Sequence, residues 1–393
     1  MRILYITHSC PYPPNKGDRI RSFNLLRHLS SQYEVALIYP SFSPSEVEKR
    51  EVLQQYCDTV YPIQFSPFFS KFKCLLALLK GESLTLAYFQ SKKLKQKVDR
   101  EHFDLAVADC SSMAPYVLAL SQPKIVDFVD VDSEKWKIYS KKASFPLTWI
   151  YHLESQRLRL YEEEIVNRTH ACLVTSEQER KSLPPESNVV VVPNGIDFNY
   201  FHPNRSASSP ECSTLLFMGA MDYFANIDGV LFFHKRIFPL ILQEIPDVKF
   251  IIAGMNPTKE IRRLEGPNTI VTGLVPDMRV YLNGASVCVV PLRIARGVQN
   301  KVLEAMAMKV PVVATSVANE GIHAQDGREI LLGDSPEAFG KAVLTLLEDL
   351  VFSDSLAVRA RQFVEREFSW DRSFEIVDNV IVHALEVMKG NAT

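Results

Sequence analysis

The chain of 393 residues lacks a strong excess of charge, a long apolar run and paired cysteines. Its formal net charge of −2 gives no indication of a nucleic-acid partner. No apolar stretch reaches about 18 residues, the length that a membrane-spanning helix requires. Seven cysteines are scattered without a Cys-x-x-Cys pair, which favours the reduced thiols of a cytoplasmic protein over a disulfide framework or a zinc site.

Two further absences concern the start of the chain and the ends of its strands. The first residues, MRILYITHSC, lack the basic leader and long apolar core of a signal peptide and are predicted to form a buried strand. No Gly-x-Gly-x-x-Gly follows a predicted strand, which disfavours a dehydrogenase. The composition that remains, 47% hydrophobic and 23% charged, is that of a globular protein long enough for about two domains.

Short apolar, β-branched runs recur along the chain, each followed by a helical pattern. The runs are RILYIT, EVALIY, TVYPI, DLAVAD, KIVDFVD and ACLVTS in the first half, and TLLFMG, KFIIAG, TIVTG, SVCVVP, PVVAT and EILLG in the second. They are nearly continuously apolar, which predicts parallel strands covered on both faces. Because the pattern occurs twice, we predict an α/β protein with two doubly wound, Rossmann-like domains.

A segment rich in Pro, Ser and Asn, LPPESNVVVVPNGIDFNYFHPNRSASSPECS, is predicted to link the two halves. We place an N-terminal domain in 1–190 and a C-terminal domain in 191–369. A last amphipathic helix in 370–393 is expected to pack on either domain, including back on the first. Its apolar face is formed by Phe374, Val377, Val380, Ile381 and Ala384. Two domains joined by one linker make a cleft, and ligands are expected outside the carboxyl ends of the strands.

The stretch VPLRIARGVQNKVLEAMAMKVPVVAT, residues 290–315, joins a strand to a helix through a basic loop. Its polar and glycine residues are Arg293, Arg296, Gly297, Asn300, Lys301 and Glu304. The start of a helix offers backbone N–H groups and a positive dipole end to an anion. Glu304, among apolar neighbours, is expected to be partly shielded and able to accept hydrogen bonds from two adjacent sugar hydroxyls. The alternative is that the cations are solvated and Glu304 lies on the surface.

Three segments, in this order, carry a resemblance to a known family. PYPPNKGDRIRSFNLLRHL, VPNGIDFNYFHP and NKVLEAMAMKVPVVAT resemble the amino-terminal loop, the linker and the donor-site signature of family-four-type (GT4) retaining glycosyltransferases with the GT-B fold. FMGAMDYFANIDGV, VTGLVPDMRVYL and VDVDSEKW are similar to sugar transferases associated with PEP-CTERM/exosortase exopolysaccharide systems. The resemblance spans nearly the whole chain.

The resemblance implies two Rossmann-like domains facing across a cleft, with the nucleotide on the C-terminal domain and the acceptor on the N-terminal one. It implies transfer of a sugar, with retention, from a nucleotide-diphosphate sugar to a glycan or lipid-linked acceptor in cell-surface polysaccharide biosynthesis, without a metal or other cofactor. The donor-binding residues that it implies are Glu304, Lys301, Gly297, Arg293, Asn300, Gly219, Asn226 and Val275. Val275 lies in GLVPD, whose backbone is expected to recognise the base.

The sequence departs from the family pattern at three positions. Arg296 stands where the family usually has a Glu that contacts the donor sugar, and Ala220 and, roughly, Asn226 stand where it has the Arg and Lys that hold the diphosphate. Our hypothesis is that positive charge has moved to Arg293, Arg296 and Lys301, with Arg296 a catalytic candidate because its planar fork matches a pair of anionic oxygens.

The N-terminal half contributes two further groups of candidates. In NKGDRIR, Gly17 permits a tight turn, Asp18 either caps a helix beginning at Arg19 or faces a ligand, and Arg21 is a further candidate for the acceptor and phosphate loop. His8, which ends the first strand, either touches substrate or caps the strand end.

Asp109 and Asp130 follow two predicted strands and are candidates for the catalytic, acceptor-side residues. Many family members have a His near Asp109, which this chain lacks there. Asp130 and Asp132 form an Asp-x-Asp that suits a hard cation, but the resemblance favours acceptor binding over a metal.

Residues 68–97 interleave lysines with Phe and Leu. Such a helix either contacts an anionic membrane peripherally or is an ordinary domain helix with a solvated Lys face. Two alternatives to a transferase also stay open: an epimerase of the same fold, and a non-catalytic nucleotide-sugar-binding partner, which the missing Glu and Arg favour. What happens to the donor distinguishes the three: its sugar is transferred, epimerised or left unchanged.

Overall fold

The computed structural model describes residues 1–14, 17–186, 188–203, 213–295 and 297–390, without the side chains of 142 and 388–390. The chain divides into two compact units. The first unit is Met1–Pro193 with Phe374–Thr393, and the second unit is Asn194–Ser373. The roles that we assigned to the two domains stay predictions.

The described part of the first unit is built on a parallel sheet. Its strands are β1 (Arg2–Ile6), β2 (Glu34–Ser41), β3 (Thr59–Gln64), β4 (Leu105–Asp109), β5 (Lys124–Asp127), β6 (Ala171–Val174) and β7 (Val189–Val191). Their order is β3-β2-β1-β4-β5-β6-β7, and every neighbouring pair is parallel. The order reverses between β1 and β4, so a ligand is expected outside the carboxyl ends of these two strands.

Strand β7 corrects the sequence analysis, which placed its residues in the linker. Val189 pairs with Cys172, Val190 with Leu173 and Val191 with Val174 of β6. Pro and Ser residues flank this short β-branched run, so the local sequence resembles a loop. The run becomes a strand because it hydrogen-bonds to β6, a tertiary interaction that the local sequence does not reveal. The later part of the predicted linker, 204–212, lies outside the described residues.

Helices cover the first sheet on both faces. They are α1 (Gly17–Gln32), α2 (Pro44–Glu48), α3 (Arg50–Leu53), α4 (Pro67–Lys80), α5 (Leu84–Phe89), α6 (Lys92–Arg100), α7 (Asp132–Lys142), α8 (Leu147–Arg168) and α9 (Glu177–Arg180), and Ser111–Tyr116 forms a 3-10 helix. Two apolar clusters of this unit share the sheet, with alternate residues such as Ile3 and Leu4 in different clusters. This is the arrangement of a doubly wound sheet.

The described part of the second unit repeats this plan. Its strands are β8 (Thr214–Met218), β9 (Lys249–Ala253), β10 (Thr269–Gly273), β11 (Val287–Val290), β12 (Val312–Ala314) and β13 (Leu331–Leu332). All neighbouring pairs are parallel in the order β10-β9-β8-β11-β12-β13. The order reverses between β8 and β11, which makes their carboxyl ends the second expected ligand site.

The helices of the second unit connect these strands. They are α10 (Phe224–Phe232), α11 (Phe238–Glu244), α12 (Lys259–Arg262), α13 (Met278–Asn283), α14 (Asn300–Ala307), α15 (Ser316–Asn319), α16 (Pro336–Glu348) and α17 (Leu350–Glu367), with a π-helical turn at Phe233–Ile237 between α10 and α11. Helix α14 follows β11, as the sequence pattern predicted.

The last helix, α18 (Trp370–Gly390), leaves the second unit and packs on the first. Val377, Val380, Ile381 and Ala384 are buried in an apolar cluster of the first unit, and Phe374 stacks on His28 with 4.1 Å between ring centroids. The predicted apolar face is therefore the face that packs. Among the described helices, none combines the length and apolarity that crossing a membrane would need.

Candidate functional site

Glycines mark the carboxyl ends of three neighbouring strands in the second sheet. Gly219 follows β8, Gly254 follows β9 and Gly273 ends β10. Gly219 and Gly254 have φ angles of 150° and 152°, and a Cβ atom on Gly254 would lie 1.7 Å from the carbonyl oxygen of Gly219. Only glycine permits this close backbone approach between the two strand ends.

Gly219 lies against a polar cluster that joins α10 to α14. The Lys301 ammonium donates to Asn226 Oδ1 at 2.5 Å, and Asn226 Nδ2 donates to the carbonyl oxygen of Ala220 at 2.8 Å. A Cβ atom on Gly219 would lie 2.7 Å from Asn226 Nδ2 and 3.3 Å from Lys301 Nζ. The structure therefore brings together three of the predicted donor-binding residues at the point where the strand order reverses.

The amino-terminal end of α14 adds features that suit an anion. Its N-cap residue is Gln299, whose side chain makes no capping hydrogen bond to the first turn. The side-chain oxygen of Asn300 is buried and has no hydrogen-bond partner within the described part of the chain. Helix starts that are not capped by their own side chain leave backbone N–H groups for a ligand, and the helix dipole favours a negative one.

Lys301 and Glu304 are one turn apart on α14, so their side chains lie on the same face. Both side chains are half-buried. Burial lowers the pKa of Lys301 to about 8, while Cys288 and Glu304 oppose the change. Burial raises the pKa of Glu304 to about 7, against the effect of Lys301. Two groups that titrate near neutral pH beside the start of a helix are typical of a functional site.

Arg293 does not join this cluster. Its guanidinium binds Asp228 through two contacts, Nε to Oδ2 at 3.0 Å and NH2 to Oδ1 at 2.5 Å, and lies 4.8 Å from the ring centroid of Phe232. Asp228 and Asn226 are two residues apart on α10, so their side chains point in different directions. Lys301 is thus at the Gly219 cluster, whereas Arg293 is held by Asp228.

Two other predicted residues belong to the same loop. Gly297 is buried and has a φ angle of 61°, the left-handed conformation that glycine adopts without strain. Arg296, the catalytic candidate on which much of the charge-relocation hypothesis depends, lies outside the described residues.

The linker contributes an aromatic residue that the sequence analysis missed. The guanidinium of Arg279 lies 4.0 Å from the ring centroid of Tyr200 and binds Asp277. Burial and Asp277 raise the pKa of Tyr200, and the charge of Glu304 adds to the effect. Tyr200 is therefore near the Glu304 end of the site. Val275 lies half-buried in the loop between β10 and α13 that leads to Asp277.

A second polar cluster lies at the carboxyl ends of β1 and β4 in the first sheet. His8 Nδ1 is 3.1 Å from Asp109 Oδ2, and His8 Nε2 is 3.1 Å from Asp18 Oδ2. The Ser22 hydroxyl donates to the same oxygen of Asp109 at 2.8 Å. Asp109 is buried, whereas the side chains of His8 and Asp18 are 18% and 32% exposed and can reach a ligand.

The neighbours of His8 raise its pKa against the effect of burial. Burial alone would lower the pKa of His8, but Cys110, Asp109 and Asp18 raise it well above its ordinary value of 6.5. Burial opposes ionisation of Asp18, yet its hydrogen bond to His8 and the charge of that ring lower the pKa of Asp18 to about 2. The raised pKa favours the charged form of His8, whose ring lies between two carboxylates in a chain that lacks the family's usual His near Asp109.

Two strained residues follow neighbouring strands at this same edge. Cys110, after β4, has a φ angle of 67°, and Val129, after β5, has a φ angle of 61°. A positive φ is unfavourable for a β-branched residue, and such strain is concentrated at functional sites. The backbone geometry therefore supports a ligand-facing edge near His8.

The remaining predicted residues of the first unit differ in their burial and in their position relative to the strand ends. Arg21 is buried, with Nε 2.6 Å from Asp127 Oδ2 and NH1 donating to the carbonyl oxygen of Val192 at 2.8 Å, so it supports the edge of the sheet from within. Asp18 lies in the first turn of α1, which begins at Gly17 and not at Arg19 as we expected. Asp130 is exposed just before α7.

One set of described side chains could hold a metal ion. Ligand atoms of His8, Asp109 and Cys110 lie within 4.8 Å of one another, a mixed nitrogen, oxygen and sulfur set. Asp132, from the Asp-x-Asp, instead accepts from the Ser111 hydroxyl at 2.7 Å and pairs with Lys135.

One family model matches the segment of the chain that contains the Gly219 cluster. Residues 212–349, which contain Gly219, Asn226, Lys301 and Glu304, match the family model described as glycosyl transferases group 1. A protein of the cps region in Klebsiella pneumoniae, of uncharacterised function, is 21% identical, with 96% of this chain and 98% of that protein covered. TuaC of Bacillus subtilis, named as a candidate teichuronic acid biosynthesis glycosyltransferase, is 28% identical over 45% of this chain and 46% of its own length.

Solved structures are similar in fold to this chain over most of its length. Sucrose-phosphate synthase from Thermosynechococcus elongatus superposes with a TM-score of 0.74 at 16% identity, covering 98% of this chain and 100% of that one. Anabaena HepE, solved in complex with UDP-glucose, superposes with a TM-score of 0.68 at 15% identity, covering 97% and 99%. At these identities the likeness shows the fold, and the predicted GT-B class with two Rossmann-like, parallel-sheet domains is confirmed.

Proposed function

We propose that this protein, whose residues 212–349 match the glycosyl transferases group 1 model, is a glycosyltransferase that moves a sugar from a nucleotide-diphosphate sugar to a glycan or lipid-linked acceptor in cell-surface polysaccharide biosynthesis. Retention at the anomeric carbon, independence from metal and cofactor, membership of GT4 and a role in a PEP-CTERM-type exopolysaccharide system are parts of the proposal that rest on the family resemblance. The relatives in the cps region and in teichuronic acid biosynthesis support the polysaccharide role. A cytoplasmic location, suggested by the scattered cysteines, is also proposed.

The observation that carries the proposal is the cluster of Gly219, Asn226, Lys301 and Glu304 at the switch point of the second sheet. In the proposed complex the diphosphate lies at the start of α14, beside the Lys301 ammonium. Glu304 accepts hydrogen bonds from two adjacent hydroxyls of the nucleotide ribose. HepE bound to UDP-glucose supports a nucleotide sugar as the ligand class for this fold.

The same groups would assist the bond-breaking step. As the glycosidic bond breaks, negative charge grows on the departing diphosphate, and fixed donors that face this charge lower the barrier. Lys301 supplies a full positive charge and the start of α14 supplies a partial one. Because burial already lowers the Lys301 pKa to about 8, binding an anion next to it favours its charged form.

On the acceptor side, the His8, Asp18 and Asp109 cluster is the best-supported group. The two ring nitrogens of His8 hold Asp109 and Asp18 in place, and the exposed Asp18 oxygens can accept a hydrogen bond from an acceptor hydroxyl. Asp130 remains a candidate because it is exposed at the same edge of the sheet. We propose that this cluster orients the acceptor and that an exposed carboxylate, Asp18 or Asp130, takes the proton that the acceptor hydroxyl releases.

The experiment that tests the proposal is titration of the protein with a panel of nucleotide sugars, followed by turnover with the one that binds. Replacing Lys301 with Ala should raise the donor Kd roughly 10–100-fold, because a hydrogen bond to a charged group is lost. Replacing Arg293, which Asp228 already holds, should have little effect. Arg296→Ala completes the test of relocated charge: unchanged donor binding in both Lys301→Ala and Arg296→Ala would end that hypothesis.

The absence of the family's usual Glu and Arg also favours a second candidate, a non-catalytic nucleotide-sugar-binding partner. Product analysis distinguishes the two candidates. Sugar attached to an acceptor supports the transferase, an epimerised donor identifies an epimerase, and tight donor binding without turnover identifies a binding partner.

A further inference from the structure

Helix α4 (Pro67–Lys80) exposes its large apolar side chains and buries its small ones, which is the reverse of an ordinary surface helix. Its exposed side chains are Phe68 at 74%, Phe69 at 64%, Phe72 at 53%, Leu75 at 56%, Leu76 at 41% and Leu79 at 78%. Phe68, Phe72, Leu75 and Leu79 follow the spacing of a single helical face. We call the six residues the α4 stripe.

The opposite face of α4 explains why the helix is held with this orientation. Ser70 and Ala77, seven residues apart, are 1% and 2% exposed and face the first unit. Small residues on that face allow α4 to lie close to its neighbours. The Cys74 thiol, between them on the same face, donates to the carbonyl oxygen of Leu84 at 3.4 Å. The sequence therefore specifies which side of the helix packs, and the side that does not pack is the apolar one.

The end of α4 is fixed to the body of the first unit. The buried carboxylate of Glu154 on α8 accepts from the Ser83 hydroxyl and the Leu84 backbone N–H at 2.7 Å each and from the Thr85 N–H at 2.9 Å, immediately after α4. Arg157 donates to the carbonyl oxygen of Glu82 at 2.8 Å. The α4 stripe is therefore displayed on an anchored helix, so docking it requires no prior unfolding.

The charges around the stripe favour one kind of partner. Residues 66–81 contain lysines and no acidic residue. Lys71 and Lys80 are exposed and, from their positions on the helix, flank the stripe on opposite sides. An apolar face bordered by lysines on both sides matches an anionic lipid surface, where the apolar side chains enter the acyl boundary and the ammonium groups meet the headgroups. A protein partner would need a matching acidic rim around an apolar groove.

We propose that the α4 stripe docks α4 lengthwise on the surface of an anionic lipid bilayer. The proposal stands independently of the transferase assignment, because it concerns a face of the first unit remote in sequence from the donor cluster. If the protein is also a transferase with a lipid-linked acceptor, peripheral binding brings it to the membrane surface where that acceptor resides.

Co-sedimentation of the full chain with phosphatidylcholine vesicles, with and without phosphatidylglycerol, tests the proposal. The protein should bind vesicles containing phosphatidylglycerol, and added salt should weaken the binding. Replacing Phe68, Phe72 and Leu79 together with Ser should lower the partition coefficient at least about tenfold. Replacing Lys71 and Lys80 with Gln should lower binding to the anionic vesicles by roughly tenfold or more and leave binding to neutral vesicles unchanged.

Two controls make each outcome decisive. Leu350 and Val351 on α17 are 69% and 82% exposed, so Leu350→Ser with Val351→Ser removes exposed apolar area elsewhere and should leave vesicle binding unchanged. Because the replaced side chains are exposed, all variants should melt at the temperature of the parent protein.

Absence of sedimentation of the parent protein would overturn the proposal, and so would an equal loss in the α17 variant. A dimer in light scattering that the triple Ser variant converts to a monomer would identify the α4 stripe as a contact between two copies instead.

Discussion

Replacing Glu304 with Gln should weaken donor binding and yet stabilise the folded protein at alkaline pH. Burial raises the pKa of Glu304 from 4.5 to about 7. One pH unit of pKa change corresponds to about 1.4 kcal/mol, so the ionised carboxylate costs the folded state at most roughly 3 kcal/mol. Because the side chain is half-buried and water screens part of this effect, we expect a gain of roughly 1–3 kcal/mol for the neutral amide.

The sign of the effect follows from proton binding. Between pH 4.5 and about 7 the folded protein retains the Glu304 proton more strongly than the unfolded chain does, so the free energy of unfolding falls as pH rises through this window. The amide has no such proton. The gain should therefore be nearly absent near about pH 4 and fully present near about pH 8.5.

The assay is urea unfolding of parent protein and variant at these two pH values, together with titration of the donor. Glu348, exposed on α16 of the same unit, provides the matched control: Glu348→Gln should change neither the stability difference nor the donor Kd. We expect the donor Kd of Glu304→Gln to rise by roughly tenfold or more, because hydrogen bonds to a charged acceptor are lost. A stability difference that is the same at both pH values, or donor binding equal to that of the parent, would refute the reasoning.

Three further predictions concern the same clusters. In the parent protein, kcat/KM for the donor should rise with pH through the Glu304 pKa of about 7 and fall through the Lys301 pKa of about 8. Glu304→Gln should remove the rise on the acidic side. A pH profile that is flat across both pKa values would contradict the assignment. Gly219→Ala should displace the Lys301 side chain and abolish tight donor binding, whereas Gly327→Ala, at a φ angle of 75° with nothing within 4 Å of the added Cβ, should affect stability alone. His8→Gln should lower the transfer rate by roughly 100-fold or more at an unchanged donor Kd, and equal losses in rate and donor binding would argue for a structural role.

Local sequence patterns were sufficient for the fold and for the positions of Lys301 and Glu304 on one helix. The apolar runs predicted strands because parallel strands covered on both faces are apolar throughout, and the spacing of Lys301 and Glu304 placed both on one face of α14. Strand β7 was missed because Val189–Val191 looks like part of a linker until its pairing with β6 is known.

Pairings between distant residues could not be predicted in the same way. Arg293 and Lys301 are equally basic and close in sequence, but Asp228, 65 residues from Arg293, holds the first, and Asn226, 75 residues from Lys301, orients the second. His8 reaches Asp109 across 101 residues. Nothing in the local pattern distinguishes these cations or identifies that His.

For helix α4, the sequence could not show which face packs on the protein. Its sequence indicates two faces, but the side that packs on the protein became evident only from the burial of Ser70 and Ala77. The usual expectation, that the large apolar face is the buried one, would have been wrong for this helix.

The central claim is that the start of α14, with Lys301 and Glu304, holds the nucleotide diphosphate. The most direct measurement is a crystal structure of the protein with its best-binding nucleotide sugar. We predict diphosphate oxygens within about 3 Å of Lys301 Nζ and of first-turn backbone nitrogens of α14, and ribose hydroxyls donating to Glu304. A nucleotide bound elsewhere, with Lys301 still donating to Asn226 as in the free protein, would contradict the account.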